Sequence, residues 1–338
     1  MTFKASAIAN ANLALVKYWG KRNEDLILPY NASISVTLDG LYAHTTVEFS
    51  DKFKEDVVII NDEELKKGSE EYEEYIGRFL KKLRSLYPEK TKNMKAKIVS
   101  KNNFPTAAGL ASSAAGFAAL ALACNEVLNL NLEKKDLSIL ARMGSGSACR
   151  SIYGGFVEWK RGNRDDGKDS YAEQIAPREH WPEFRIVVCI TTKKEKKIKS
   201  RAGMKQTVAT SSFYKAWLET IEEDLKNMKK GIIEKNFSLV GKVAEINCLK
   251  MHATMITTNP PIIYWNNSTI DAIQEVLKMR EEGIECYFTM DAGPQVKIIC
   301  LEENANKIAK RIRENVDIED LIITSPGDDA KIVEKHLF

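Results

Sequence analysis

The sequence predicts an α+β protein built from two domains. Segments in which apolar and polar residues alternate indicate strands, and segments with apolar residues every three or four positions indicate helices, so helices should cover a mixed or antiparallel sheet. The chain has 338 residues, more than the roughly 250–300 at which a single hydrophobic core stops growing. We place the boundary before the apolar strand that starts at Phe184, which gives an N-terminal domain of residues 1–183 and a C-terminal domain of residues 184–338.

The first half is predicted to contain mostly strands, with a few helices between them. Alternating or short apolar runs predict strands at residues 34–38, 45–49, 57–60 and 94–99. Helices are predicted at 70–86, in the Ala-rich stretch after residue 105, and around 137–141, where a glycine at 144 ends the last one. Residues 160–177 are rich in Arg, Gly, Asp and Lys, which indicates a surface hairpin or loop.

The second half is predicted to open with a strand and to continue with long helices. The strand covers 184–191, and a helix follows in which Phe213, Trp217, Ile221, Leu225 and Met228 recur at helical spacing. The remaining elements are predicted as helices at 237–244, 270–277 and 305–312 and strands at 286–290, 296–301 and 321–324. We find no internal repeat.

The charge and the cysteine content limit the possible functions. Lys and Arg number 50 and Asp and Glu number 47, so the net charge is +3. Such a balance produces no global field for nucleic acid, and an anionic partner would need a local site. The 6 cysteines stand far apart without a Cys-x-x-Cys pair and there are 4 histidines, which argues against zinc or iron–sulfur sites and predicts free buried thiols. We expect a cytoplasmic enzyme or binding protein that contacts neither nucleic acid nor a membrane, because no signal-like or spanning segment is evident.

A phosphate-binding loop is the strongest single motif. It reads Pro105-Thr-Ala-Ala-Gly109-Leu110-Ala-Ser112-Ser113 and lies between a predicted strand and a predicted helix. Backbone N–H groups and the positive end of the helix make such a junction an anion site. Gly109 allows close approach of the backbone, and the two serines offer hydroxyls to phosphate oxygens or to magnesium. The alternative is a tight loop that leads into a closely packed helix.

A second motif, Lys17-Tyr18-Trp19-Gly20-Lys21, follows an apolar strand. Two ammonium groups four residues apart beside aromatic walls suit a small polyanionic ligand. The alternative is an ordinary strand end whose lysines are solvated.

A third motif, Ser145-Gly146-Ser147-Ala-Cys149-Arg150, combines paired hydroxyls with a fixed cation. The planar guanidinium of Arg150 could bind a carboxylate or a phosphate through two parallel hydrogen bonds. The alternative is a loop that ends a helix and carries a solvated arginine.

A candidate catalytic acid, Asp291, ends the apolar strand before Ala-Gly-Pro. A carboxylate in such a place needs a nearby cation, such as Lys17 or Arg150, to remain ionised, and it could then take or orient a hydroxyl proton. The alternative is an aspartate that opens a turn. The basic stretch 193–204 could be an RNA patch or a mobile solvated loop, and its shortness argues against RNA.

These motifs together resemble a known family. The Pro-x-x-x-Gly-Leu-x-Ser-Ser-Ala loop resembles the ATP loop of the GHMP kinase superfamily, and residues 11–21, 28–38, 142–156 and 287–294 resemble the diphosphomevalonate decarboxylases within it. The resemblance implies an N-terminal domain like ribosomal protein S5 domain 2 and a ferredoxin-like C-terminal domain. The chain departs from the family at Cys149, where serine is frequent, and we expect this small residue to leave the loop intact.

The resemblance also implies a reaction and a set of site residues. ATP with Mg²⁺ would phosphorylate the 3-hydroxyl of mevalonate diphosphate, and loss of phosphate and CO₂ would give isopentenyl diphosphate, in a homodimer. Asp291 and Lys17 would be catalytic, and Ser113 would approach magnesium. The segment 251–254 also matches the family without an assigned role, and we expect His252 in it to be structural. The substrate would contact Tyr18, Lys21, Ser147, Arg150 and Arg201, and ATP would contact Asn102, Pro105, Gly109, Leu110, Ser112, Ser113, Ser145 and Ser200.

Two other classes of function remain open at this point. One is a related GHMP kinase that stops at the phosphorylated product, or a decarboxylase of mevalonate monophosphate or of unphosphorylated mevalonate. The other is a non-catalytic protein that binds nucleotides or RNA. The combination of Asp291 with Lys17 favours full decarboxylation.

Overall fold

The computed structural model describes residues 3–104, 112–194 and 196–338 and has the predicted α+β architecture, with helices layered on two β-sheets. The first sheet has the strand order β14-β1-β4-β7-β5-β6, and β8 joins it by pairing with β4 and β9. Its strands are β1 Phe3–Val16, β4 Ser33–Ser50, β5 Val57–Ile60, β6 Glu63–Glu64, β7 Lys95–Asn102, β8 Phe156–Trp159, β9 Ala172–Ala176 and β14 Lys331–Val333, and a small hairpin of β2 Lys21–Asn23 and β3 Leu28–Pro29 lies beside it.

The two strands predicted at 34–38 and 45–49 form one continuous strand, β4. Asp39-Gly40 resembles a turn in the sequence, but the Asp39 N–H donates to Ser325 O at 2.8 Å and Gly40 adopts φ of 71°, so the strand bends without ending. Apart from the parallel pair β5 and β7, the pairings described in this sheet are antiparallel. The first sheet is therefore mixed, which is one of the two arrangements predicted.

The second sheet is antiparallel and has the order β11-β12-β10-β13. Its strands are β10 Phe184–Ile190, β11 Tyr287–Met290, β12 Val296–Leu301 and β13 Asp320–Thr324. Along β10, Ile186 and Val188 pack into one apolar cluster while Val187 and Cys189 pack into another. Because both faces of this strand are covered, its sequence is apolar throughout.

The helices agree with most of the predicted segments. They are α1 Arg78–Leu86, α2 Pro88–Thr91, α3 Ser112–Val127, α4 Lys134–Gly144, α5 Ser200–Thr210, α6 Tyr214–Ile233, α7 Phe237–Ile256, α8 Asn267–Glu281 and α9 Glu302–Asn315. A π-helical segment, Tyr72–Gly77, precedes α1, and 3-10 turns occur at Gly146–Ile152 and Arg178–His180. The loop expected over 193–204 is wrong from Ser200 onward, because α5 starts there and packs Gly203 against Trp19.

The apolar interior consists of clusters on both sides of each sheet. One cluster packs α1, α3 and α4 against the first sheet, and another packs α8 and α9 against the second. A third joins residues of β1 and β4 to residues of α6 and α7, such as Trp217 and Met251, so the two sheets share an apolar core. In the part of the chain that the structure covers, no helix combines the length and hydropathy needed to cross a bilayer.

The last strand returns to the first sheet. β14 pairs antiparallel with β1, and Val333 lies opposite Ser6. The sequence did not indicate this strand. The domain division at 183/184 stays a prediction.

Two glycine-to-alanine substitutions in helices should have opposite effects on stability. A Cβ at Gly241 in α7 would lie 1.9 Å from Cδ2 of Tyr287 in β11, so Gly241→Ala should lower the free energy of unfolding by about 1–3 kcal/mol through overpacking. Gly116→Ala in α3 meets no described atom within 4 Å and should raise it by about 0.5–1 kcal/mol through lower backbone entropy of the unfolded chain. Urea denaturation measures both; equal effects would contradict the packing described for α7 and β11.

Candidate active site

A cavity of about 470 Å³ lies where the end of β1, the start of α3, the 3-10 turn after α4, the start of α5 and the end of β11 meet. All of the predicted catalytic and ligand-binding residues that the structure describes line it. They are Lys17, Tyr18, Lys21, Asn102, Ser112, Ser113, Ser145, Ser147, Arg150, Ser200, Arg201 and Asp291. Pro105, Gly109 and Leu110 lie outside the described residues.

Asp291 lies between two buried ammonium groups. Lys17 Nζ donates to its Oδ1 at 2.9 Å and to Ala14 O at 2.7 Å, and Lys297 Nζ lies 3.4 Å from its Oδ2. The lysine side chains are 1% and 2% exposed, whereas 29% of the Asp291 side chain is exposed. The carboxylate is therefore the part of this triad that a ligand in the cavity can reach.

The two lysines keep Asp291 ionised. Burial by itself would raise the pKa of the carboxyl group, but the charges and hydrogen bonds of Lys17 and Lys297 outweigh it and lower the pKa to about 2. Burial lowers the pKa of Lys297, and the Asp291 charge opposes that effect. A group ionised at neutral pH and open to the cavity can accept or orient a hydroxyl proton.

Sequence reasoning missed Lys297. It lies in β12 opposite Thr289, one residue along from the pair formed by Met290 and Val296, so the sheet register brings it beside Asp291. The available signal was a single charge in the otherwise apolar segment Val296–Leu301, since a lysine inside a buried strand needs an anionic partner.

Arg150 is the other cation that the sequence suggested as a partner of Asp291, but its hydrogen bonds are to other residues. Nη1 donates to Ser33 Oγ at 2.6 Å and Nη2 donates to Asn12 Oδ1 at 3.1 Å. Its buried Nε has no acceptor among the residues that the structure describes. Burial lowers the pKa of this guanidinium. An unpaired donor on a buried arginine is suited to an oxygen atom of an anionic ligand.

Tyr18 and Lys21 lie on either side of a sharp turn. Gly20 has φ of 116°, and a Cβ there would lie 1.9 Å from the Tyr214 hydroxyl, which donates to Trp19 O at 2.8 Å. The turn therefore requires glycine. Tyr18 packs edge-on against Trp159, with 4.7 Å between the ring centres. Burial raises the pKa of the Tyr18 hydroxyl, so this group remains a neutral donor.

Lys21 donates to Glu24 Oε2 at 2.6 Å. Burial lowers the pKa of Lys21, and the hydrogen bond and charge of Glu24 oppose this effect. The Glu24 side chain is half exposed. An anionic ligand could therefore compete with Glu24 for the Lys21 ammonium group.

A group of serine hydroxyls forms another part of the wall. Ser113 Oγ at the start of α3 lies 3.3 Å from Ser145 Oγ, and Ser145 Oγ lies 3.5 Å from Ser147 Oγ. Asn102 ends β7, where its N–H donates to Asn61 Oδ1 at 2.8 Å.

This serine cluster, formed by Ser113, Ser145 and Ser147, fits the chemistry of a phosphate-bound magnesium ion. Mg²⁺ prefers oxygen ligands and is usually held by substrate phosphates and a few protein groups. An apolar part of the same wall, which includes Ile60, Leu65, Tyr75 and Phe117, suits a planar base. The hydroxyl groups and the apolar lining of the cavity thus fit ATP with magnesium.

Lys196 is a further cation that sequence reasoning did not single out. Its Nζ donates to Ser200 Oγ and to Ala292 O, each at 2.7 Å, and burial lowers its pKa to about 8. Arg201 Nη2 donates to Gly144 O at 2.7 Å, and its guanidinium lies 3.8 Å from the centre of the Tyr75 ring. Both cations line the cavity beside the serines.

Two remaining residues have structural surroundings. Cys149 Sγ donates to Gly146 O at 3.0 Å inside the 3-10 turn, and burial raises the pKa of this thiol to about 12, so the turn accommodates cysteine. His252 is buried 5.3 Å from Trp265, and burial lowers its pKa to about 3. Its imidazole is therefore neutral at physiological pH.

Comparison with protein families gives two matches that together cover most of the chain. Residues 9–172 match the diphosphomevalonate decarboxylase-like N-terminal domain, and residues 186–333 match the mevalonate 5-diphosphate decarboxylase C-terminal domain.

Individual relatives agree with these matches. A diphosphomevalonate decarboxylase of Candida albicans is 40% identical over 314 residues, which cover 90% of this chain and 86% of that protein. The crystal structure of mevalonate diphosphate decarboxylase from Staphylococcus aureus has a TM-score of 0.92 at 41% identity and covers 99% of each chain. A structure of MDDEF in complex with MVAPP, AMPPCP and magnesium has a TM-score of 0.91 at 42% identity and covers 99% of this chain and 100% of that one.

Removal of one ammonium group should raise the pKa of Asp291. In Lys297→Met the Asp291 carboxyl group keeps its burial and loses one of two cations, so its pKa should rise from about 2 towards or above the ordinary value of about 3.9. Titration of the ¹³C-labelled carboxyl group by NMR measures this value. Lys310→Met, at a 76% exposed position of α9, serves as the control and should leave it unchanged; equal pKa values in all three proteins would contradict the triad.

Proposed function

Because the chain belongs to the diphosphomevalonate decarboxylase family, we propose that it converts mevalonate diphosphate and ATP into isopentenyl diphosphate, ADP, phosphate and CO₂. The family, the GHMP kinase-like fold of two domains and the ATP-dependent activity predicted from the sequence are confirmed. The observation that supports the reaction most directly is the ionised carboxylate of Asp291, which faces the same cavity as the serine cluster.

Asp291 is proposed to act on the 3-hydroxyl group of the substrate. Its carboxylate would accept or orient the hydroxyl proton while that oxygen attacks the terminal phosphoryl group of ATP. Lys17 and Lys297 would hold the carboxylate ionised and in place. After transfer, phosphate leaves with the electrons of the C–O bond, and a negative carboxylate near that carbon favours the developing positive charge. The C–C bond to the substrate carboxylate then breaks, CO₂ leaves, and the electrons of that bond form the double bond of isopentenyl diphosphate.

The remaining residues are proposed to bind the two substrates. Arg150 has an unpaired Nε donor and would bind an anionic oxygen of mevalonate diphosphate. The other proposed contacts to that substrate are Tyr18, Lys21, Ser147 and Arg201, and the proposed contacts to ATP are Asn102, Ser112, Ser113, Ser145 and Ser200 together with Pro105, Gly109 and Leu110.

Magnesium is used with ATP, and Ser113 is the proposed protein ligand near it. When bound, the ion neutralises negative charge on the transferred phosphoryl group. The serine cluster would orient the phosphates relative to Asp291.

A single assay separates this reaction from the related kinase and from a non-catalytic binder. The protein is incubated with ATP, magnesium and, in turn, mevalonate, its monophosphate and its diphosphate, and ADP and CO₂ are measured together. We expect equal amounts of both products with the diphosphate. ADP without CO₂ would indicate a kinase, and neither product with any form would indicate a binding protein.

The oligomeric state and the location are proposed from the family. We propose a homodimer, which sedimentation equilibrium would detect as twice the mass of 38.1 kDa. We also propose a cytoplasmic location, which fractionation of the source cells would test. A monomer at all concentrations, or recovery in the membrane fraction, would contradict these two proposals.

The Asp291→Asn variant should lose kcat by at least about two orders of magnitude with a KM change below about threefold, because the carboxylate acts on the transition state more than on substrate binding. Steady-state kinetics with mevalonate diphosphate measures both constants. Asp271→Asn, at an exposed position of α8, is the control and should behave as the parent protein. Near-normal turnover in Asp291→Asn would remove the proposed catalytic role.

The Arg150→Lys variant keeps the charge and loses the planar set of donors. We expect kcat/KM for mevalonate diphosphate to fall by about tenfold to a hundredfold, since lysine cannot donate to Ser33, to Asn12 and to an anionic oxygen in the same geometry. Arg313→Lys at an exposed position of α9 is the matched control. An unchanged kcat/KM for Arg150→Lys would show that no substrate oxygen binds there.

A further inference from the structure

Two adjacent residues of helix α7 contact the chain segments that carry the Lys17–Asp291 pair: Asn247 contacts Lys17, and Cys248 contacts Met290, the residue before Asp291. We infer that Asn247, Asp224 and Lys250 form a positioning relay that fixes the backbone of Lys17 and thereby the spacing between its ammonium group and Asp291. This inference rests on the proposed catalytic roles of Lys17 and Asp291. None of the three relay residues lines the cavity.

Asn247 holds Lys17 by its main chain. The Asn247 side chain is fully buried, and its Oδ1 accepts from the Lys17 N–H at 2.8 Å. Strand β1 ends at Val16, so the N–H of Lys17 lies beyond the last sheet position and donates its hydrogen bond to a side chain. Asn31 Nδ2 donates to the Lys17 carbonyl oxygen at 2.8 Å, so side chains hold both polar groups of this backbone unit.

Asp224 fixes the orientation of the Asn247 amide. Asn247 Nδ2 donates to Asp224 Oδ2 at 2.8 Å, which leaves the amide oxygen directed at Lys17. Asp224 lies in α6 and is buried, and Lys250 Nζ donates to both of its carboxylate oxygens at 3.0 Å. Lys250 is required in this arrangement because a buried carboxylate without a cation is costly.

The same turn of α7 also holds the strand that carries Asp291. The Met290 N–H donates to Cys248 Sγ at 3.0 Å, and Cys248 Sγ lies 3.4 Å from Met290 O. Cys248 follows Asn247 directly, and Met290 precedes Asp291 directly. One helix turn therefore sets the positions of both chain segments, and loss of the Asn247 contact should release Lys17 while Asp291 stays in place.

The first experiment uses Asn247→Leu in the full-length protein. The Lys17 N–H would lose its acceptor and the ammonium group would move, so kcat should fall by about tenfold to a hundredfold, as expected for a misplacement of about 1 Å at a catalytic group. The KM for mevalonate diphosphate should change by less than about threefold, because the relay does not contact the substrate.

The pH dependence of kcat/KM distinguishes the positioning of Lys17 from a purely structural role of Asn247, which would leave it unchanged. Lys17 lowers the pKa of Asp291, so a displaced Lys17 should raise that pKa and move the acidic limb of kcat/KM to higher pH. The other titratable or charged groups near Asp291 are unchanged in this variant. They are Lys297 on β12, Cys248 and His252 on α7, Arg150 in the 3-10 turn and Lys196 before α5.

A charge exchange provides the rescue. In the double variant Asn247→Asp/Asp224→Asn, a carboxylate oxygen at position 247 can accept from the Lys17 N–H, and the amide at position 224 can donate to that carboxylate. Lys250 lies three residues from position 247 on α7 and can pair with the carboxylate, so kcat should return to within about threefold of the parent value. Asn247→Asp alone would place two carboxylates in contact and should remain impaired. Lys229→Met removes another ion pair of α6, the 3.1 Å contact with Glu158, and as a control should leave kcat and the pH profile unchanged.

Thermal unfolding and near-ultraviolet circular dichroism establish that the variants are folded. A folded Asn247→Leu with parental kcat and an unmoved acidic limb would overturn the relay, as would a lowered kcat that the double variant fails to restore. If Asn247→Leu does not fold, Lys250→Met at a partly exposed position replaces it. We expect this variant to show a smaller fall in kcat and a shift of the acidic limb in the same direction. Parental values of both would overturn the relay. Full turnover in Asp291→Asn would instead refute the proposed function, whereas an inactive Asp291→Asn beside a normal Asn247→Leu would refute the relay alone.

Discussion

The arrangement of the site depends on one interaction, the contact of the Asp291 carboxylate with the ammonium groups of Lys17 and Lys297. Lys17 follows the first strand of one sheet, whereas Asp291 and Lys297 belong to the other. A buried lysine alone would be strongly unfavourable. Lys17 has its anionic partner on the other sheet, so its charge requires that sheet to be in place. The contact between Lys17 and Asp291 therefore joins the two sheets and also lowers the pKa of the Asp291 carboxyl group.

Much of the fold could be predicted because its signals are local. The apolar spacing of α6 and the uniformly apolar β10 arise from packing against neighbours on one or both faces, and such periodicity can be read directly from the sequence. The misses have non-local causes. The strands predicted at 34–38 and 45–49 are one strand, in which the Asp39 N–H donates to Ser325 O of a distant segment, and α5 forms where Gly203 packs against Trp19.

The candidate site shows the same division. Asp291, Lys17 and Arg150 stand in motifs whose residue types already indicate their chemistry, and the structure brings them to one cavity, while their individual roles remain proposals. Lys297 could have been noticed as a charge within an apolar strand, but its partner depends on the register of β11 and β12. Asn247 carries no such signal, because an asparagine within a helix acquires its function from a backbone group more than two hundred residues away.

The pairing of β14 with β1 has a consequence for biosynthesis. A ribosome releases β1 first, and residues 331–333 emerge only after nearly all other strands of both sheets. Until then the outer side of β1 is an open sheet edge, which can template pairing with another chain. The nascent protein is thus most exposed to aggregation late in translation, when most of its cores can already have formed. Premature termination shortly before residue 331 would leave this edge open permanently, so a short C-terminal truncation should harm solubility more than its size suggests.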